Sequence, residues 1–140
     1  MQRRHAIWIL FAAVAALAFA QAVAKSAVAP KGDLKWTDMG IPGVSAAAVD
    51  GDMKKGASHF YLKYPAGFVT PLHHHSPDHY VTTISGNLIL VVDGKDHAVP
   101  PGSFFALTDK APHAARCEGK EDCVMFVDAR GPWDVVPERK

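Results

Sequence analysis

The chain has 140 residues, of which 49% are apolar, and its 15 basic and 14 acidic side chains give a formal net charge of +1. This length suffices for one ordinary globular domain and excludes a multidomain enzyme within the chain. Because the charges balance, the sequence lacks the basic excess that binds phosphate backbones, and nucleic acid is not expected as a partner.

The N-terminal segment has the layout of a secretory signal peptide. Arg3 and Arg4 precede the uncharged apolar run 6–20, and the small residues 22–24 form an A-x-A ending. We predict a signal peptide over residues 1–24 and a periplasmic or secreted mature protein. The fifteen apolar residues are fewer than the roughly 20 that a spanning helix needs, which disfavours a retained anchor, so no membrane association is expected after cleavage. The arginine pair leaves export by the twin-arginine route as an alternative.

The rest of the chain favours β-structure. All 11 glycines and all 10 prolines follow residue 24, and they interrupt almost every stretch of helical length. Short strand-like runs alternate with turn signals, which predicts an all-β domain over residues 36–140 after a tether over 25–35. Asp93-Gly94 is the most specific turn signal, since a two-residue hairpin loop needs residues that tolerate positive φ. The predicted strands are 45–49, 59–64, 80–84, 88–92, 96–99, 104–107, 114–117 and 124–128.

Four histidines carry the chemistry that the sequence indicates. His73 and His75 are two residues apart, so on an extended backbone their side chains share one face, and His74 points to the other. His79 opens the next predicted strand. His113 follows two further hairpin strands that return the chain, so all four candidate ligands can meet.

A set of imidazoles of this kind is typical of a transition-metal site. Histidine is the commonest biological ligand for first-row ions, and three or four imidazoles bind Fe, Mn, Ni, Cu or Zn without a carboxylate. The tight C-x-x-C spacing of structural zinc sites is absent. Neutral ligands leave the charge of the ion uncompensated, so an open coordination position favours an anionic guest such as an enolate or a carboxylate. The alternatives are an exposed loop that binds nickel adventitiously and, for His59, His74 and His97, ordinary surface positions.

The same region resembles the first sequence motif of the cupins. That motif is Gly, five residues, His-x-His, three or four residues, Glu, six residues, Gly, and every spacing fits. The one departure is a histidine in place of the usual glutamate, as in four-histidine members of the family. The matching residues are Gly67, His73, His75, His79 and Gly86.

The second cupin motif is matched less closely. A register that starts at Gly102 places His113 at the ligand position, with Thr108, Lys110 and Cys117 in place of Pro, Gly and Asn. A rival register places Phe105 at the ligand position. The first is preferred, because only it leaves room for the hairpin that contains the Asp93-Gly94 turn.

The resemblance covers roughly residues 60–128 and implies a small cupin-type jelly-roll β-barrel with the metal in its mouth. It implies that the bound ion is Mn²⁺ or Fe²⁺, with Ni²⁺, Cu²⁺ or Zn²⁺ as alternatives. It also suggests a homodimer, with residues 36–49 as the candidate exchanged segment. Five aromatic residues are candidates for an apolar lining around the ion, or for ordinary core: Phe60, Phe104, Phe105, Phe126 and Trp133.

The two cysteines, Cys117 and Cys123, flank a charged loop that is interpreted as a hairpin tip. In an exported protein this placement predicts a disulfide across the hairpin. Thiol redox chemistry and metal ligation are the alternatives.

Two functions fit these features. The first is a metal-dependent dioxygenase that acts on a small enolizable or anionic organic substrate. The second is a non-catalytic module that binds or senses a metal or a small ligand. No residue is identified as a general base, because Asp78 lies next to the ligands but also fits a turn position. A cofactor-free isomerase is disfavoured. The resemblance implies that sugar-nucleotide epimerases of this family depend on a His and Tyr pair rather than on a full set of metal ligands.

Overall fold

The computed structural model describes residues 26–139, which form two antiparallel β-sheets. The larger sheet has the strand order β1-β2-β3-β10-β5-β8, and the smaller has the order β11-β4-β9-β6-β7. One 3₁₀ turn, Lys31–Asp33, precedes them. The strands are β1 Thr37–Asp38, β2 Ser45–Gly51, β3 Ser58–Tyr64, β4 His73–His74, β5 His79–Ser85, β6 Asn87–Val92, β7 Lys95–Ala98, β8 Phe104–Leu107, β9 His113–Glu118, β10 Cys123–Ala129 and β11 Val136–Pro137.

This architecture confirms the predicted all-β jelly roll. Each of the eight predicted strands corresponds to an observed strand whose ends differ by no more than two residues. The sequence analysis missed β1, β4 and β11, which have two residues each. A strand of two residues is too short to show the alternation on which strand prediction depends.

The core lies between the two sheets because alternate side chains of each strand point inward. In β10 the buried residues alternate with half-buried ones from Cys123 to Ala129. Phe60 and Leu88 are fully buried, one from each sheet. Full burial of a side chain of this size contributes about 1.5–3 kcal/mol to folding. The same alternation buries His79 at the start of β5, ahead of Val81.

The turns show why glycine stands where it does. Asp93 and Gly94 both adopt positive φ, 51° and 72°, in the β6–β7 hairpin, as the predicted two-residue loop requires. Gly86 has a φ of 83°, and a Cβ there would lie 2.7 Å from the Cα of Cys123. The second motif glycine therefore permits both a left-handed turn and the close approach of β10.

A disulfide joins Cys117, near the end of β9, to Cys123, the first residue of β10, with a Cα–Cα distance of 5.7 Å. Both residues are buried. The predicted disulfide is therefore present, and neither cysteine is available as a thiol or a metal ligand. The predicted hairpin is wrong, because β9 lies in the smaller sheet and β10 in the larger, so the crosslink joins the two sheets.

The N-terminal part of the chain is only partly described. The predicted signal peptide over 1–24 lies outside the described residues. Residues 26–33 are exposed, in keeping with a tether. Within this chain β1 pairs with β2, so the exchange of segment 36–49 between subunits stays a prediction. In the range 26–139 no helix has both the length and the apolar character that crossing a membrane requires.

Candidate metal centre

The sheets bring the four predicted histidines to one end of the barrel interior. His73 is the first residue of β4 and lies directly opposite His113, the first residue of β9. His75 follows β4, and His79 begins β5. All four imidazoles are at most 5% exposed. Because a structural core gains nothing from grouping four buried imidazoles, this arrangement indicates a binding site.

Three of these side chains form a cluster that is positioned to bind a metal ion. One nitrogen from each of His73, His75 and His113 lies within 4.8 Å of the other two. The ring centroid of His73 is 4.4 Å from that of His113 and 4.9 Å from that of His75. The ring of His79 adjoins the cluster, with its centroid 4.7 Å from that of His75 and 5.9 Å from that of His113. A role for His79 as fourth ligand stays a prediction.

Backbone carbonyls fix which nitrogen of each ring faces the cluster. The Nδ1–H of His73, His79 and His113 donates to the carbonyl two residues earlier, at 2.8, 3.2 and 2.9 Å respectively. The Nδ1–H of His75 donates to the carbonyl of Asp134. A carbonyl only accepts, so the proton lies on Nδ1 and the lone pair of Nε2 is free. This is the orienting arrangement that metal-ligating histidines use, and the residues present therefore fit a transition-metal ion.

Burial keeps these imidazoles neutral. Desolvation lowers the pKa of His75 to about 3 and the pKa of His113 to about 4, and the carbonyl bonds offset this only in part. Desolvation likewise lowers the pKa of His73 and of His79. Ligation needs neutral imidazole, so at neutral pH no proton has to leave the site before a metal binds.

The C-terminal segment completes the centre, and sequence reasoning missed most of this role. The indole of Trp133 stacks on the ring of His75, with centroids 3.9 Å apart and planes inclined by 24°. The carboxylate of Asp134 accepts hydrogen bonds from the backbone N–H of Ser76 at 2.7 Å and from its hydroxyl. β11 then pairs with β4. The segment therefore fixes β4, which carries His73 and leads directly into His75.

The turn before His113 departs from the family pattern in a visible way. Asp109 and Lys110 both have left-handed backbone conformations, with φ of 55° and 56°, and Lys110 stands where the motif has glycine. The carboxylate of Asp78 accepts the backbone N–H of Asp109 at 2.9 Å. Asp78 therefore serves as a turn residue that connects two ligand-bearing segments, which resolves the ambiguity of its role.

The predicted aromatic lining is correct only in part. Phe105 and Trp133 line a small cavity of about 30 Å³ among the four histidines. Phe60 packs edge-on against Trp133, with ring centroids 5.0 Å apart. The prediction is wrong for Phe104, which is 64% exposed, and for Phe126, which packs on Tyr61 at the outer face of the larger sheet. Alternation along β8 and β10 turns these two side chains outward.

The remaining histidines lie away from the centre. His74 points outward, as predicted, and its Nδ1 is 2.6 Å from a carboxylate oxygen of Glu138. His59 lies between the carboxylates of Asp50 and Asp128 on the outer face, and His97 is exposed on β7.

A larger cavity of about 310 Å³ adjoins the histidine cluster. His73, His75 and Trp133 line both cavities, so the cluster forms the wall between them. An ion held by the histidines would be reached from this side by a small molecule.

Comparison with known proteins identifies the family. The Cupin domain profile matches residues 60–128. The chain belongs to the cupin superfamily. No curated protein matches the sequence.

Solved structures share the fold at low sequence identity. The polyketide cyclase RemF from Streptomyces resistomycificus is 19% identical, with 83% of this chain and 87% of that chain covered and a TM-score of 0.69. KdgF from Halomonas sp. is 18% identical, with 83% and 97% covered and a TM-score of 0.62. The DMSP lyase DddQ from Ruegeria pomeroyi DSS-3 is 18% identical, with 78% and 64% covered and a TM-score of 0.62. At these identities the likeness extends to the fold alone.

Proposed function

We propose that this cupin binds one divalent transition-metal ion through Nε2 of His73, His75, His79 and His113, and that the centre acts as a dioxygenase on a small organic molecule. One observation carries the proposal: each of these buried imidazoles gives its Nδ1 proton to a backbone carbonyl, beside a cavity of about 310 Å³. An enolizable or anionic substrate suits a centre whose ligands carry no negative charge.

The resident ion is proposed to be Mn²⁺ or Fe²⁺, with Ni²⁺, Cu²⁺ and Zn²⁺ as alternatives, since imidazole ligands accept all of them. When bound, a redox-active ion would supply the electron transfer on which the reaction of dioxygen with an organic molecule depends. The chain itself holds the ligands in one tautomer, excludes water through burial and provides the adjoining cavity.

Metal content tests the ligand set. Untagged wild-type protein is expected to bind about one equivalent of metal by elemental analysis. Replacement of His75, His79 or His113 by alanine is expected to weaken binding at least about tenfold, because loss of outer-shell partners alone costs 10–100-fold. His97→Ala is the matched control, since this imidazole is exposed on β7. Undiminished affinity in His79→Ala would reduce the ligand set to three.

Oxygen uptake tests the reaction. Protein reconstituted with Fe²⁺ or Mn²⁺ is expected to consume dioxygen when small enols or phenols are added, and His113→Ala is expected not to. Binding of these molecules without oxygen uptake for either ion would contradict the dioxygenase proposal.

A second function has its own support. Asp134 is the only acidic residue that lines either cavity within residues 26–139, and its carboxylate is engaged by Ser76. The site thus presents no uncommitted carboxylate as a general base, which suits a module that binds or senses a ligand without turnover.

Export is also proposed. The basic start, the apolar run and the A-x-A ending support cleavage after Ala24. N-terminal sequencing of the protein recovered from a secreting host is expected to begin at Lys25.

A further inference from the structure

We propose that the cavity beside the histidines takes a small uncharged molecule with an apolar body, of the size and chemistry of a simple phenol. This rests on the proposed function, because it names the substrate class of the same site. It narrows the enolizable or anionic substrates to those that enter as neutral molecules.

The wall of the cavity carries the argument. No lysine or arginine lines it within the described part of the chain. A carboxylate held against this wall, away from the ion that the histidines are proposed to bind, would lose its hydration without gaining a counter-charge, which costs several kcal/mol. The carbon-rich side chains that line it are Met39, Ile41, Val44, Leu62, Phe68 and Val135.

The polar groups of the cavity point the same way. Asp134 lines the cavity, and its carboxylate, which accepts the backbone N–H and the hydroxyl of Ser76, offers only acceptor oxygens and repels an anionic guest. Thr70 accepts the backbone N–H of Ala115 at 2.7 Å. Within the described residues Asp134 is the only charged side chain that lines the cavity, and in the metal-free protein its sign opposes a carboxylate.

Tyr64 supplies a donor for a neutral guest. It lines the cavity and packs against Phe68, with ring centroids 4.9 Å apart. Burial raises the pKa of this hydroxyl to about 12, so it keeps its proton at neutral pH. It can donate one hydrogen bond to an oxygen of the ligand, while the ring of the ligand lies against carbon.

The volume limits the size of the guest. Cavities that hold small ligands span about 300–1,000 Å³, and this one is about 310 Å³. Since an apolar cavity of about 150 Å³ already holds benzene, a single six-membered ring with small substituents fits with room left over, and the volume sets an upper limit on the guest.

Ligand binding to metal-free protein provides the test. Phenol, benzoate and oxalate are titrated into chelator-treated full-length protein by calorimetry, and the melting temperature is measured in parallel. Phenol is expected to bind at least about tenfold more tightly than benzoate. A tenfold difference in affinity corresponds to about 1.4 kcal/mol, which is less than the cost of desolvating the carboxylate. Oxalate is expected not to bind. No binding of phenol, or equal or tighter binding of benzoate, would overturn the proposal.

A charge placed at the mouth sharpens the test. Ile41 is 38% exposed at the cavity, so Ile41→Arg is expected to fold and to reverse the preference, with benzoate bound more tightly than phenol. Ile84→Arg is the matched control, because Ile84 is 47% exposed on β5 and lines neither cavity. If both variants keep the wild-type preference, phenol binds elsewhere and the proposal fails. These measurements need no metal, so a protein that selects phenol but binds no metal would contradict the proposed function alone.

Discussion

At the scale of single residues, Asp134 connects the C-terminal segment to the metal centre through both its backbone and its side chain. Its carbonyl accepts the Nδ1–H of His75, and its carboxylate accepts two hydrogen bonds from Ser76. Asp134→Ala keeps the carbonyl that accepts from His75 but removes the carboxylate that fixes this segment to Ser76. It is expected to weaken metal binding about tenfold, because the carbonyl that orients His75 is then held less firmly. Competition with a chelating dye measures the affinity.

The control for Asp134 is another aspartate that accepts a backbone hydrogen bond. Asp122 accepts the N–H of Ala66 at 3.0 Å and lies next to the disulfide. Asp122→Ala is expected to lower the melting temperature slightly and to leave metal affinity unchanged. Equal losses of affinity in both variants would show that Asp134 acts only through general stability.

Lys110 offers a prediction of opposite sign. A residue with a Cβ in the left-handed region costs about 1–2 kcal/mol relative to the right-handed one, and glycine avoids most of this cost. Lys110→Gly is therefore expected to stabilise the protein by about 0.5–1 kcal/mol, the net after the added entropy of the unfolded chain. Thermal unfolding measures this, and Lys120→Gly, in the exposed loop between β9 and β10, is the control. A lower melting temperature for Lys110→Gly would show that the lysine side chain itself stabilises the turn.

The sequence could locate the ligands but not what holds them. His73, His75 and His79 follow from strand alternation within one short run, which is local information. Trp133 and Asp134 lie 58 residues or more from His75 and Ser76, and their contacts depend on the return of the C-terminal segment. No local pattern in the sequence marks that return.

At the scale of elements, the disulfide joins β9 of the smaller sheet to β10 of the larger one, at the end of β9 opposite to the proposed metal ligand. His113 begins β9, and Cys117 lies four residues further along the same strand. Four residues of extended chain span roughly 13 Å. The double variant Cys117→Ser, Cys123→Ser is expected to lose about 2 kcal/mol of unfolding free energy, because the closed loop is short.

Metal affinity shows whether the disulfide affects only stability or also the position of His113. In that double variant the affinity is expected to stay within about twofold of wild type, because the backbone pairing of β9 with β6 and β4 holds His113 independently. Chemical denaturation and dye competition measure the two quantities. A large loss of affinity at unchanged stability would mean that the crosslink sets the position of the ligand.

Strand prediction succeeded where elements are regular and failed where tertiary pairing makes them. Alternation of buried and less buried side chains is clear in four of the longer strands, β3, β5, β9 and β10. β4 contains only His73 and His74, and it is a strand because β9 and β11 pair with it on either side. Its two neighbours come from distant parts of the chain, so its formation depends on the complete fold.

For the molecule as a whole, the site and the core share one interior. Four imidazoles occupy space that carbon side chains would otherwise fill, and each has a pKa below 6.5 in the folded state. In the unfolded chain these groups return to a pKa near 6.5. Because the pKa values are lower in the folded state than in the unfolded chain, protonation at acidic pH favours unfolding.

Metal-free protein is therefore expected to lose stability as the pH falls below 6.5. Above that pH neither state binds protons at these sites, and the folded state keeps its full stability. Below it the unfolded chain takes up protons that the folded site refuses, so the unfolding free energy falls by up to about 1.4 kcal/mol per pH unit for each group. For His75 and His113 this continues toward their folded pKa values of about 3 and 4. Urea unfolding between pH 7.5 and 5 measures the slope.

Variants and metal assign that slope to the cluster. His113→Leu removes one of the four groups and is expected to reduce the slope, while His97→Ala removes an exposed imidazole and serves as the control. Added metal raises the unfolding free energy by mass action, and this gain is expected to persist toward pH 5 because the folded imidazoles stay neutral there. The curves with and without metal should thus fall roughly in parallel over this range. A flat curve for the metal-free protein over this range would contradict the assignment of four neutral, buried imidazoles to the folded state.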